Sequence, residues 1–258
     1  MDLKELPGRD FMRHPWEIAR AAFFLRLLRE HVDASGLRAL DIGAGDGYFA
    51  GRLGAEFPAV AAVTCFDPGY DNAWLNGQAP RGQRLDFTAS RPAGTFDLVL
   101  LLDVLEHVAD DQGLLREATA SAAMPGGWIL LSAPAHQALF SRHDELLGHQ
   151  RRYSPDRLRA MAAESGLDVV AHGQLFTSLL LPRAAGRLGE AVGAARTSAP
   201  ATPALGQVET SLGTWQHGAM VTSLVTKALA LDAAGCRFAA RWRIPLPGLS
   251  AWVLARRR

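Results

Sequence analysis

The sequence has few cysteines, little net charge and no long apolar run. Its two cysteines, Cys65 and Cys236, do not form a C-x-x-C pair, which argues against a zinc site built on thiolates. The formal net charge of +1 creates no global field that would attract nucleic acid, so we expect no nucleic-acid partner. No secretory leader opens the chain, and no apolar run approaches the roughly 18 residues of a membrane span. We therefore expect a cytoplasmic protein without a transmembrane segment.

What the sequence does contain is an apolar stretch that ends in a carboxylate and continues into closely spaced glycines. Asp41 precedes Gly43, Gly45 and Gly47, and a helix-like segment begins at Tyr48. This order predicts a strand, a tight loop and a helix whose N-terminus can face a ligand. The dinucleotide pattern G-x-G-x-x-G would require a glycine at position 48. A carboxylate before the loop also suits a cationic ligand better than a pyrophosphate.

Three segments resemble one enzyme family. D-x-G-x-G-x-G at 41–47 is similar to motif I of the class I S-adenosylmethionine-dependent methyltransferases. F-D-L-V-…-D-V-L-E-H-V at 96–108 resembles the fourth-strand segment of small-molecule members, including those of quinone biosynthesis. H-D-…-G-H-Q-R-R-Y-S at 143–154 resembles the segment after their fifth strand. The resemblance covers roughly 36–173 and is weaker at 246–255. The alternative for the loop alone is a glycine-rich turn that binds no ligand.

The fold that this resemblance implies is α/β. It is a Rossmann-like methyltransferase fold with a seven-stranded, mostly parallel sheet, helices on both faces and an antiparallel last strand. The residue pattern agrees, because apolar strand-like runs alternate with helical segments. We expect strands at 38–42, 59–66, 84–87, 96–103, 128–132, 167–173 and 246–255. Pro125-Gly126-Gly127 predicts a turn before the fifth strand.

The resemblance also implies a cofactor, S-adenosylmethionine, which becomes S-adenosylhomocysteine. Asp41 would contact its methionine end, Asp103 would lie near the same moiety, and the three glycines would let the backbone approach it. Asp67, at the end of the second strand, would accept hydrogen bonds from the ribose; the alternative is an ordinary Asp-Pro-Gly turn. Asp86 or Phe87 would meet the adenine.

The segment from 133 to 153 is unusually rich in histidine. We expect it to be an irregular loop on the acceptor side, because histidine titrates near neutrality and can accept a proton from a hydroxyl. The candidate bases are His149, which its place in the matched segment favours, His143 and His107. A metal site on His136, His143, Asp144 and His149 is the alternative, but no pair among these four residues has the i, i+4 spacing of a helical zinc motif, so we expect none.

The sequence divides into four parts. We expect an N-terminal helical extension at 1–35, the cofactor-binding core at 36–174, a helical cap at 175–245, and a closing strand with a solvated basic tail at 246–258. The polar and aromatic cluster at 13–17 either begins the first helix or covers the cofactor. The cap could pack on the core, contact a membrane surface or form an oligomer interface.

The expected function is transfer of the sulfonium methyl to a hydroxyl or amine of a small-molecule acceptor. A nicotinamide-dependent oxidoreductase is an alternative that the glycine spacing disfavours. A catalytically silent partner subunit that binds S-adenosylmethionine is another, because intact binding motifs do not require turnover.

Overall fold

A computed structural model of the chain describes residues 12–77, 84–196, 215 and 217–258. Seven strands form one sheet in the order β3-β2-β1-β4-β5-β7-β6. The strands are β1 (Arg38–Ile42), β2 (Ala62–Phe66), β3 (Leu85–Thr88), β4 (Phe96–Leu102), β5 (Ala123–Pro134), β6 (Leu167–Leu175) and β7 (Ser250–Arg257). Strands β1 to β5 pair in parallel, and β7 is antiparallel to both of its neighbours. The predicted fold class is confirmed, including the antiparallel last strand.

Eight α-helices accompany the sheet in the described part of the chain. They are α1 (Pro15–His31), α2 (Tyr48–Glu56), α3 (Asn72–Gly77), α4 (Asp111–Glu117), α5 (Arg142–Leu147), α6 (Pro155–Glu164), α7 (Leu180–Arg196) and α8 (Ala219–Arg241). Short polar side chains begin several of them. Ser154, for example, accepts a hydrogen bond from the Arg157 N–H, and Pro155 occupies the first turn of α6.

The core has two apolar layers, one on each face of the sheet. One layer includes Phe24 of α1, Leu53 of α2 and Leu229 of α8. The other includes Leu115 of α4 and Leu158 of α6. Strand β4 contributes to both layers, as a strand covered on both faces should. Because β1 pairs in parallel with both β2 and β4, the carboxyl ends of these three strands lie side by side. The polar residues that follow the three strands therefore lie close in space.

The cap lies between β6 and β7, where the extra helical sequence was expected. Helix α8 packs against α1 and β6. Its opposite side carries an apolar stripe that is 61% to 84% exposed: Met220, Leu224, Leu231, Phe238 and the following Trp242. Among the described residues, α8 is the one helix long and apolar enough to cross a membrane. No apolar segment of that length was expected from the sequence. Contact between the cap and a membrane or a second subunit stays a prediction.

Two local predictions were wrong, and a third was incomplete. Residues 125–127 do not separate a helix from a strand, because β5 already begins at Ala123 and passes through them with an irregular register against β4. The segment 133–153 is not irregular, since it contains α5 and a 3-10 turn. The basic tail is exposed to solvent at Arg256 and Arg258, as expected, but it is also part of the sheet. Arg256 and Arg257 belong to β7 and donate hydrogen bonds to the backbone carbonyls of Gly126 and Ala123.

Candidate functional site

The glycine loop connects β1 to α2 in a conformation that excludes side chains. Gly43, Gly45 and Gly47 have φ of +68°, +55° and +70°. A Cβ at Gly43 would lie 2.7 Å from Val104 Cγ2, and one at Gly47 would lie 2.6 Å from the Phe87 ring. Positive φ and these close contacts both disfavour any other residue at Gly43 and Gly47, so the loop needs glycine there to pack against Val104 and Phe87.

Asp41 lies near the end of β1, between Cys65 of β2 and Leu100 of β4. It is 3% exposed. Burial raises its pKa to about 7, against an opposing effect of the Arg20 guanidinium. A buried carboxylate that ionises with difficulty gains stability from a ligand that brings a positive charge.

Asp67 links the end of β2 to the glycine loop. Its Oδ2 accepts a hydrogen bond of 3.0 Å from the Gly45 N–H, and its Oδ1 accepts one of 2.8 Å from the Gly69 N–H. A carboxylate has about four lone-pair sites, so it can also accept from a ligand hydroxyl. The Asp-Pro-Gly turn and the ligand role are therefore compatible.

Asp103 follows β4 at the same edge of the sheet. Its φ of +59° is rare for a residue other than glycine. The Ser132 hydroxyl donates to its Oδ1 at 2.9 Å, and Arg20 of α1 forms an ion pair with it. The Arg20 guanidinium thus pairs with Asp103 and also lowers the pKa of Asp41.

An aromatic group stands beside the loop on the β3 side. The Tyr70 hydroxyl donates to the Gly45 carbonyl at 2.6 Å, and the Tyr70 and Trp74 rings stack with centroids 4.0 Å apart. Phe87 meets the Trp74 ring edge-on. Asp86, the neighbouring residue on β3, is exposed. Of the two adenine candidates, the structure places Phe87 at the loop. Sequence reasoning missed Tyr70 and Trp74, although both follow Asp67 closely.

Helix α1 covers this part of the site. Arg13 forms ion pairs with Asp46 of the loop and with Glu17, and its guanidinium lies 3.9 Å from the centroid of the Tyr48 ring. A cavity of about 40 Å³ lies between α1 and the loop. The cluster at 13–17 therefore both begins a helix and faces the glycine loop.

A second polar group lies at the end of β4, on the side of the segment 133–153. Glu106 and His107 form a 3-10 turn with Leu105, and His149 follows α5. The His107 and His149 rings meet edge-on with centroids 4.7 Å apart. One ligand atom each of Glu106, His107 and His149 lies within 4.8 Å of the others. The structure thus brings together two of the three predicted bases, and the third, His143, is on α5 outside this group.

Asp144 holds His149 in place. This carboxylate is fully buried, and its Oδ1 lies 3.1 Å from His149 Nδ1. Arg152 contacts Oδ1 at 2.8 Å, and Arg183 of α7 contacts Oδ2 at 2.6 Å. Burial alone would raise the pKa of Asp144, but the hydrogen bonds from His149 and Arg152 and the charges of both arginines hold it well below its usual range. Asp144 therefore stays ionised and favours the His149 tautomer with its proton on Nδ1.

Glu106 is the least compensated of these groups. It is fully buried, and neither carboxylate oxygen has a hydrogen-bond partner on another residue of the part of the chain that the structure describes. Burial raises its pKa to about 8. Sequence reasoning passed over Glu106, Arg152 and Arg183 as site residues because their relation to His149 depends on the fold.

Comparisons with known proteins show which family this chain resembles. Residues 12–172 match a family model described as a methyltransferase domain. The chain is 32% identical over 120 residues to a ubiquinone biosynthesis O-methyltransferase of Xanthomonas axonopodis pv. citri, covering 42% of this chain and 47% of that protein. It is 30% identical over 105 residues to one of Bordetella bronchiseptica, covering 38% and 43%. The chain therefore spans less than half the length of these curated relatives.

A solved structure shares the fold over most of the chain. The S-adenosylmethionine-dependent methyltransferase from Mesorhizobium loti superimposes with a TM-score of 0.53. The match covers 93% of this chain and all of that one, at 17% identity. At this identity the likeness concerns the fold alone.

Proposed function

We propose that this chain, which belongs to the class I S-adenosylmethionine-dependent methyltransferase family, transfers a methyl group to a hydroxyl of a small molecule. The observation that carries the proposal is the position of the buried Asp41 beside a loop that accepts only glycine. The alternative of a nicotinamide-dependent oxidoreductase loses support, because the family match covers this loop.

The residues around the loop fit S-adenosylmethionine. Asp41 would attract its ammonium group, Asp67 would accept from the ribose hydroxyls, and the aromatic group of Tyr70, Trp74 and Phe87 would flank the base. When bound, the cofactor supplies an electrophilic methyl on a sulfonium. The protein then has to hold the acceptor in line and exclude water. Helix α1 is placed to do the second, since it covers the loop.

The polar group at the end of β4 would receive the acceptor. His149 is the preferred base, because Asp144 holds Nδ1 and leaves Nε2 to accept a proton. An imidazole base can deprotonate a phenol, whose pKa is about 10, far more readily than an aliphatic alcohol. We therefore infer that the acceptor is a phenolic hydroxyl. The O-methyltransferase names of the curated relatives support an oxygen acceptor.

The test is a transfer assay with isotopically labelled S-adenosylmethionine and matched phenols, aryl methyl ethers and anilines. We expect label in the phenols and none in the ethers, with His149→Ala lowering turnover by about 10²–10⁴-fold. Transfer to anilines alone would contradict the hydroxyl assignment. Cofactor binding without transfer to any acceptor would favour the silent partner subunit.

A further inference from the structure

The polar group at the end of β4 has the composition of a metal site. It combines two imidazoles with one carboxylate, and one ligand atom from each lies within 4.8 Å of the other two. Two histidines and one carboxylate are a recurrent set for catalytic zinc and for mononuclear iron, where further positions stay open for water or substrate. The ligands come from two segments, which explains why the spacing within 133–153 did not predict a site.

The buried carboxylate points independently to a cation. Glu106 is fully buried, and its two oxygens have no hydrogen-bond partner on any other described residue. Such a group is costly to ionise unless a nearby cation compensates its charge. Two cationic side chains, Arg20 and Arg152, lower the pKa of Glu106 by their charge. Arg20 already forms an ion pair with Asp103, and Arg152 forms one with Asp144. Within the cluster, a cation between Glu106 and the two imidazoles would compensate the carboxylate directly.

The backbone fixes the two segments against each other. The Gln150 N–H donates to the Glu106 carbonyl at 2.7 Å, and the Gln150 side-chain amide donates to the His107 carbonyl at 2.9 Å. These bonds hold His149, the residue before Gln150, opposite the 3-10 turn. The ligand groups are thus placed by the fold, without requiring a metal to collect them.

An outer carboxylate completes the arrangement. Metal-binding histidines usually donate their second N–H to a carboxylate, which fixes the tautomer and strengthens the ligand. Asp144 lies 3.1 Å from His149 Nδ1, and Arg152 and Arg183 hold that carboxylate in turn. The atom left for a metal is Nε2.

We propose that Glu106, His107 and His149 bind a divalent transition-metal cation such as Zn²⁺. The placement of this cation beside the acceptor rests on the proposed function, but binding of the cation does not. A proton and a metal compete for His149 Nε2. His149 would be the base in the metal-free protein and a ligand in the metal-bound protein. In the metal-bound protein the cation would orient the acceptor oxygen and favour its ionised form.

Metal titration of the tag-free, chelator-treated full chain tests this proposal. We expect one equivalent of Zn²⁺ by calorimetry, and Co²⁺ should give visible absorption bands in the same site. Glu106→Gln and His149→Ala should each weaken Zn²⁺ binding at least tenfold. His143→Asn removes a histidine from the same loop and should leave the metal affinity unchanged.

The fold and the cofactor site have to be monitored in the same variants. We expect Glu106→Gln to bind S-adenosylhomocysteine like the parent protein, which separates loss of metal from unfolding. Absence of Zn²⁺ binding by the parent, or binding that Glu106→Gln and His149→Ala leave unchanged, would overturn the proposal. Stoichiometric metal binding without methyl transfer would support the site and contradict the proposed function instead.

Discussion

The two sides of the proposed site, one for the cofactor and one for the acceptor, differ in how they are assembled. The cofactor side is built from Asp41 to Gly47, a single short segment, together with Asp67 at the end of the next strand. The acceptor side joins the turn after β4, the segment around α5, and Arg183 of α7. A local segment can be identified from its own pattern, whereas a group drawn from three distant segments becomes visible only in the fold.

Two buried aspartates show the same contrast in their electrostatics. Burial raises the pKa of Asp41 to about 7, whereas the partners of Asp144 hold its pKa well below the usual range. Asp144 has two guanidinium groups and an imidazole within hydrogen-bond distance. The charge of Asp144 is therefore compensated within the protein, whereas the charge of Asp41 is not, and we propose that a cationic ligand compensates it.

The largest effect should come from removing the charge of Asp144. Asp144→Asn leaves Arg152, whose side chain is 5% exposed, without its carboxylate. We expect the free energy of unfolding to fall by about 3–5 kcal/mol, the usual cost of breaking a buried pair. Urea denaturation of this variant measures it. The control is Asp156→Asn, because Asp156 pairs with Arg159 while 88% exposed and should change little. Equal losses of stability in the two variants would show that the buried ion pairs of Asp144 contribute no more than an exposed one.

The next effect tests how the cap is attached. Leu229 is 6% exposed on the side of α8 that faces the core, and Leu231 is 75% exposed on the apolar stripe. We expect Leu229→Ala to cost about 2–5 kcal/mol and Leu231→Ala less than about 0.5 kcal/mol in thermal unfolding. A larger loss for Leu231→Ala would mean that the stripe is covered in solution by another surface.

The cofactor side should respond in binding more than in stability. At Gly43, a Cβ would meet Val104 at φ of +68°, so Gly43→Ala must displace the loop. We expect affinity for S-adenosylhomocysteine to fall by about 30-fold, which corresponds to about 2 kcal/mol of strain and lost contact. Gly54→Ala is the matched control, since it lies within α2 with nothing within 4 Å of the added Cβ. Equal affinity in both variants would place the cofactor elsewhere.

The smallest expected effect is a pH dependence of cofactor affinity. Because the pKa of Asp41 is about 7, its carboxylate is mostly protonated at pH 6 and mostly ionised at pH 8. An ammonium ligand prefers the ionised form, so affinity for S-adenosylhomocysteine should rise up to about tenfold over this range and then level. Asp41→Asn should bind more weakly and lose most of this dependence. A flat profile in the parent protein would contradict the role of Asp41.

The same raised pKa of Asp41 makes the stability of the free protein change with pH in the opposite direction to cofactor affinity. The folded chain keeps a proton on Asp41 that the unfolded chain releases at its ordinary value of 3.8. The contribution of Asp41 to stability therefore decreases as pH rises from about 4 to about 7. Cofactor affinity and stability of the free protein should thus change in opposite directions, and only cofactor binding should make use of the ionised form.

Sequence patterns predicted the fold better than the acceptor side. Sequence patterns located all seven strands, most clearly β4, because a strand buried on both faces is an almost continuous apolar run. The turn at 125–127 was misjudged since the pairing of Ala123 with Phe96 extends β5 before the glycines. The role of Arg183 could not be predicted, because nothing near it in the sequence indicates that α7 reaches Asp144.

The assignments of cofactor and base residues stay predictions, and one pair of titrations tests them most directly. Binding of S-adenosylhomocysteine should be measured in Gly43→Ala and His149→Ala side by side, with labelled methyl transfer from both. The account predicts that Gly43→Ala binds about 30-fold more weakly. His149→Ala should keep cofactor affinity within about twofold and lose turnover. Unimpaired binding by Gly43→Ala, or unimpaired turnover by His149→Ala, would contradict the division of the site into these two sides.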